Sequence, residues 1–186
     1  MCNVKIASIG AYLPPLVVTN NKISEFVDTN DEWIVQRTGV SERRISEGEN
    51  TSDIATKAAK IALERAGVNP EELDLIIVAT ISPDMFIPSV ACIVQSNLNA
   101  DKAACFDISV ACSGFVYALE IANGMMQSMN YKNALIIGAE VLSKVTDWTD
   151  RATCILFGDG AGAAVLKQNE TKGIIKSYLR ADGKKG

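Results

Sequence analysis

Apolar residues fall along this chain in two periods. Residues 4–9, 73–80, 103–108 and 134–139 are short, nearly continuous apolar runs, with LDLIIVAT and ALIIGA the clearest. Such runs suit strands of a sheet covered on both faces. Between them the period changes to three or four. Ala55, Ala58, Ala59, Ala62, Leu63 and Ala66 share one face, as do Phe115, Leu119, Ala122 and Met126, which is the spacing of buried helical stripes. Strands and helices alternate with short connections, which predicts a layered α/β domain with right-handed crossovers.

Turn and cap residues sharpen these boundaries. The first strand is expected to end at Gly10, with Leu13-Pro14-Pro15 as a turn and Asn20 or Asn21 capping a short helix through Phe26. Thr29 and Glu32 have capping-box spacing and open a helix carrying Trp33 and Arg37, with Gly39 just past its end. Thr51 or Ser52 starts a long helix that ends at Gly67, and Asn69-Pro70 caps a further turn. Pro88 is expected to open a helix through Leu98. FGDGAGA at 157–163 reads as a tight turn before a strand at 163–166, and residues 173–179 read as a last strand.

Composition narrows the function classes. The chain has 186 residues, 48% hydrophobic and 22% charged, enough for one sizeable core. A net charge of −4 argues against a nucleic-acid binder. No apolar run approaches the roughly 20 residues of a membrane span, and MCNVKIASIG lacks the pattern of an export signal. A cytoplasmic location is expected. The five cysteines, Cys2, Cys92, Cys105, Cys112 and Cys154, include no CxxC and are expected to be free thiols. There is no histidine, which excludes most zinc sites and any Cys–His pair built from these residues alone; no metal is expected.

One residue carries candidate chemistry. Cys112 lies where the strand at 103–108 gives way to a helix. The free N–H groups and the positive dipole end of a helix's first turn favour a thiolate there. Gly114 is expected to leave room for a substrate to approach the sulfur. This is the arrangement of a nucleophile elbow; the plainer reading is a small core cysteine. Trp33 and Arg37, four apart, form either a surface cation–π pair or a platform for a base and a phosphate. The glycines of FGDGAGA do not fit a phosphate loop, because a strand rather than a helix follows and GK[ST] is missing.

DTNDEWIVQRTGVSERRI, IPSVACIVQ, FDISVACSGFVYAL and DWTDRATCILFGDGAGAAVL together resemble the N-terminal half of the β-ketoacyl-acyl carrier protein synthase III family, condensing enzymes of the thiolase fold. The resemblance implies half of a thiolase-like fold over residues 1–186: a layered, mostly parallel mixed sheet with helices on both faces. It implies that Cys112 takes an acyl group from acyl-coenzyme A, with its own N–H as one oxyanion donor. It further implies that Trp33 and Arg151 sandwich the adenine of coenzyme A, that Thr29 and Arg37 contact its base and phosphates, and that Ile87 and Phe157 line the acyl pocket. Coenzyme A is then a substrate carrier, with no permanently bound cofactor. The implied partners are acyl-CoA, malonyl-acyl carrier protein and a second copy in a homodimer.

The family also uses a His and an Asn from its C-terminal half for decarboxylation and condensation. Neither matches a position here, so the resemblance implies an N-terminal domain that cannot condense alone. Rival readings are other thiolase-fold CoA enzymes, including 3-hydroxy-3-methylglutaryl-CoA synthases, and a non-catalytic dimerising fragment with an inert Cys112. A type III polyketide synthase would fit the cysteine but not the Trp33/Arg151 pair.

Overall fold

The structure, a computed structural model, describes residues 3–171 and 173–185; Cys2 lies outside them. Five strands form the main sheet: β1 (Asn3–Tyr12), β4 (Leu75–Ala79), β5 (Ala104–Ile108), β6 (Asn133–Val141) and β7 (Asp159–Asn169). Their order is β1-β7-β6-β4-β5. β4 lies parallel to β5 and to β6, whereas β6–β7 and β7–β1 are antiparallel, so the sheet is mixed. β2 (Leu16–Thr19) and β3 (Glu42–Ile45) make a small antiparallel sheet that the apolar pattern does not reveal, because its strands are short and mostly exposed or polar.

The helices are α1 (Asn20–Ile23), α2 (Asp31–Thr38), α3 (Thr51–Ala66), α4 (Val90–Leu98) and α5 (Gly114–Ser128). Alternate residues of β4 point to opposite faces. Ile76 and Val78 join Leu135, Ile137 and Val165 under α3 and α4. Leu75 and Ile77 join Ile136, Ala164 and Leu166 under Ala118, Ala122 and Met126 of α5. All five residues of β4 are buried, which is why this strand reads as a continuous apolar run.

Several local expectations need correction. Asn30, not Thr29, caps α2: its side-chain oxygen accepts from the Trp33 N–H at 2.8 Å. Thr19 rather than Asn20 or Asn21 caps α1, which ends at Ile23. The α4 cap is Ser89, which accepts from the Cys92 N–H, so the helix begins two residues after Pro88. FGDGAGA is not a turn. β7 starts at Asp159, and the positive-φ glycines are Gly39, Gly48 and Gly67, so Gly158, Gly160 and Gly162 are not bent into the left-handed region. Residues 173–179 do not form a strand; Ile174 donates one bond to the Val4 carbonyl at 2.8 Å, without a ladder.

Gly10 lies inside β1, where the strand crosses the alanine face of α3. A Cβ at this position would meet the Ala58 carbonyl oxygen at 2.4 Å and the Ala62 nitrogen at 2.5 Å. Both are backbone atoms and cannot rotate away. Gly10→Ala is therefore expected to cost about 1–3 kcal/mol by overpacking, measured as a lower urea midpoint with an unchanged slope.

Candidate active site

The C-terminal ends of β4, β5 and β6 and the start of β7 lie at one end of the sheet, by their register. Three carboxylates stand there among apolar neighbours, and each accepts from backbone N–H groups of the adjoining loops. Asp107 of β5 takes the N–H groups of Val90 and Ala91 at 2.7 and 2.8 Å, holding the first turn of α4. Glu140 of β6 takes the N–H of Ile81 at 2.9 Å and of Ser82 at 3.0 Å, with the Thr80 and Ser82 hydroxyls beside them. Asp159 of β7 takes the N–H groups of Ser46 and Ser143 at 2.7 and 2.9 Å and the Ser143 hydroxyl at 2.6 Å. Burial pushes the Asp107 carboxyl above its ordinary value, and the two N–H bonds oppose that shift. Sequence reading missed all three, although the signal was there. A lone acid inside an apolar strand, as in FDISV, AEVL and GDGA, must be paired to be buried.

Cys112 follows β5 at this same end. It lies in a single tight turn, Ala111–Ser113, that leads directly into α5. Ala111 has φ +46°, a strained value for a residue with a Cβ. That kink turns the chain sharply from strand to helix and leaves Cys112 exposed. The bonds that close the turn start from the N–H groups of Ser113 and Gly114, not from Cys112. Gly114 has a different role from the one expected. It is buried, and a Cβ there would meet the Ala79 Cβ at 2.8 Å, so it lets α5 start hard against β4 rather than opening space at the sulfur.

A second group assembles around Trp33. Ile34 of α2 is buried with Ile23, Cys154 and Ile155, and Trp33 and Trp148 pack against that cluster. Arg43 of β3 braces it from inside, donating to the Asn20 side chain and to the Ile155 carbonyl, both at 2.9 Å. Burial lowers the Arg43 pKa. The segment bearing Arg151 is shaped by two side-chain turns. Asp147 accepts from the Thr149 hydroxyl and N–H, and Asp150 from the Thr153 hydroxyl and the Ala152 N–H; these bonds lower both carboxyl pKa values. The guanidinium carbons of Arg37 and Arg151 consequently stand 4.1 and 4.2 Å from the centroid of the Trp33 indole. Arg151 also reaches to 4.0 Å from Asp28. Thr29 enters α2 beside this group, its buried hydroxyl without a hydrogen-bond partner.

Trp33, Arg37 and Arg151 are therefore brought together, with Thr29 at the edge, while the remaining candidates lie apart from them. Phe157 lines an apolar cleft of about 390 Å³ with Ile81, Leu142, Val145 and Thr153. Ile87 is 87% exposed on the loop after β4 and does not line that cleft. A second cleft, of about 310 Å³, runs beside it between Ile81, Met85, Phe86, Asp107 and Ser109.

The comparisons agree with one another. The family model described as 3-oxoacyl-[acyl-carrier-protein (ACP)] synthase III matches residues 106–183. A β-ketoacyl-[acyl-carrier-protein] synthase III from Clostridium beijerinckii is 82% identical over the whole chain, which spans 58% of that protein. Along its whole length the chain is similar to β-ketoacyl-[acyl-carrier-protein] synthase III proteins. The like-named protein of Clostridium novyi is 56% identical, again over all of this chain and 57% of its own length. The crystal structure of 3-oxoacyl-[acyl-carrier-protein] synthase III from Aquifex aeolicus superposes with a TM-score of 0.89 at 54% identity, over 91% of this chain and 55% of that one. The priming β-ketosynthase of the R1128 polyketide pathway gives 0.88 at 37%, over 91% and 51%. The thiolase-like layout expected from the sequence is thus present, and the chain spans a little over half the length of these relatives.

The carboxylate pins carry a measurable energy. Asp159→Ala leaves two backbone N–H groups and a hydroxyl without their acceptor, and is expected to cost about 2–3 kcal/mol, read from urea unfolding. Asp159→Asn, which keeps one acceptor oxygen, should recover part of the loss.

Proposed function

We propose that the protein to which these residues belong starts fatty-acid chains by condensing acetyl-CoA, or another short acyl-CoA, with malonyl-acyl carrier protein. The observation that carries this reading is the exposed Cys112 on a strained strand-to-helix turn, in a chain similar along its whole length to β-ketoacyl-[acyl-carrier-protein] synthase III proteins. The Cys112 thiolate attacks the acyl-CoA thioester carbonyl, and coenzyme A leaves as its thiol. The Cys112 N–H is one donor to the tetrahedral oxyanion, and a donor in that role is worth about 3–4 kcal/mol. Malonyl-acyl carrier protein then loses carbon dioxide, and the resulting carbanion attacks the Cys112 thioester to release the β-ketoacyl product. The chain contains no histidine, so a histidine for that second half-reaction comes from outside these 186 residues.

Coenzyme A binds at the Trp33 group in this reading. Two guanidinium groups beside one indole suit an adenine with attached phosphates. An adenine between Trp33 and Arg151 needs roughly 7 Å between the flanking planes, whereas Arg151 stands 4.2 Å from the ring centroid. The Arg151 segment therefore swings outward by about 3 Å on binding, releasing the long contact to Asp28. The Thr29 hydroxyl is buried and without a hydrogen-bond partner, so it reaches the ligand only once the Arg151 segment has moved outward. Ile87 and Phe157 bear on the length of the acyl group. The loop carrying Phe86 and Ile87, 97% and 87% exposed, is covered by a second copy in a homodimer.

In a Trp148→Phe background, coenzyme A titration should change Trp33 fluorescence saturably, and Arg151→Ala should weaken binding roughly tenfold. Pantetheine, which lacks the adenine, should leave the signal unchanged; an equal response to both would reject the adenine site. Mixed with acyl-CoA and malonyl-acyl carrier protein, the 186 residues alone should give no β-ketoacyl product, and its appearance would overturn the external histidine.

A further inference from the structure

Beneath the Trp33 group lie two buried polar side chains that the acyl chemistry does not touch. Asn20 is fully buried and Arg43 is 5% exposed. The Asn20 amide spends both its hydrogens on α2. It donates to the Asp31 carboxylate at the helix's first residue and to the Val40 carbonyl just past its end, each at 2.8 Å. Its oxygen accepts from Arg43 Nη2 at 2.9 Å, and the same Nη2 donates to the Ile155 carbonyl at 2.9 Å. Nη1 reaches the Val18 carbonyl of β2 at 3.3 Å. A continuous line of hydrogen bonds therefore runs from both ends of α2, which carries Trp33 and Arg37, to the residue four positions after Arg151. The turn between Arg151 and Ile155 is itself closed, because the Cys154 N–H donates to the Asp150 carbonyl at 3.0 Å.

Stability alone does not account for this arrangement. The three acceptors of Arg43 are neutral, and its Nε is buried without a partner. A buried charge in such company carries a desolvation cost that its hydrogen bonds only partly offset, and apolar side chains of similar volume often fill such a place at least as well. What a guanidinium adds is direction, a rigid planar fork that reaches several acceptors at fixed angles. We propose that Asn20 and Arg43 are positioning residues for coenzyme A, a buried strut that sets the distance between α2 and the segment carrying Arg151. This role rests on the reading of the Trp33 group as the coenzyme A site. With the strut intact, α2 and the base of the Arg151 segment hold still, and the outward swing on binding is confined to the residues around Arg151. Without it both walls of the slot drift, and the ligand must order them as it binds.

The test uses the Trp148→Phe chain, in which Trp33 is the sole tryptophan. Arg43→Lys keeps the charge but not the fork. Asn20→Ser is too short to span Asp31 and Arg43, and it carries the test should the lysine variant fail to fold in urea titration. Each variant should bind coenzyme A about tenfold more weakly, the loss of one hydrogen bond to a charged group. Combining the two should weaken binding no further, because either change breaks the same strut. In the ligand-free variants acrylamide should quench Trp33 more than in the parent, a change that lowered overall stability does not produce while the chain stays folded. Variants that bind coenzyme A as the parent does would overturn the strut and leave the coenzyme A site standing. So would additive losses with unchanged quenching. A parent that responds equally to coenzyme A and pantetheine would instead reject the site itself, and the strut's role with it.

Discussion

The fold turns on carboxylates that accept backbone N–H groups at one end of its sheet. Asp107, Glu140 and Asp159 stand on β5, β6 and β7 and fix the start of α4, the loop after β4, and the segments at Ser46 and Ser143. Loops in that position have many polar backbone groups and few partners of their own. A carboxylate supplies two strong acceptor oxygens in one place. Asp107 and Glu140 each hold one stretch of chain, and Asp159 holds two, that hydrophobic packing alone would leave loosely placed. The cost is a desolvated acid, visible in the raised Asp107 pKa.

On that fixed floor, small residues let elements touch backbone to backbone. Gly10 allows β1 to cross α3, and Gly114 allows α5 to begin directly over Ala79. The second contact matters for chemistry. Because α5 starts so close to the sheet, the chain has one short turn in which to leave β5, and Ala111 takes up the bend at φ +46°. Cys112 is exposed at that bend as a consequence of packing beneath it. The Trp33 group has a similar origin: Ile34, Cys154 and Ile155 are buried together, and the neighbouring Trp33, Arg37 and Arg151 are gathered on the surface above them.

Much of this was legible in the sequence, for physical reasons. Strands buried on both faces leave continuous apolar runs, which made β4 and β6 visible, and the alanine stripe of α3 marks its buried face. The turn at Cys112 and the Trp33/Arg37 pair stand out in the sequence because their spacing joins candidate chemistry to a structural boundary, whereas Arg151 is linked to Trp33 only by the family resemblance. The glycines of FGDGAGA misled because glycine serves extended strands in crowded places as well as turns. Gly160, inside β7, has the Leu13 Cδ2 atom at 3.2 Å from where a Cβ would stand. β2 and β3 escaped notice because their register and tertiary setting, rather than apolar alternation, define them. The collapsed Trp33–Arg151 contact was beyond sequence reading, since it depends on turns set by Asp147 and Asp150.

The proposed function rests on Cys112, exposed at its turn, acting as the acyl acceptor. Intact-mass spectrometry after mixing the chain with acetyl-CoA tests it directly, with Cys112→Ser as the control. The account predicts a gain of about 42 Da, one acetyl group in thioester linkage, that maps to Cys112 and is lost in the variant. An unmodified chain, or acetyl on Cys92, Cys105 or Cys154 with Cys112 free, would contradict it.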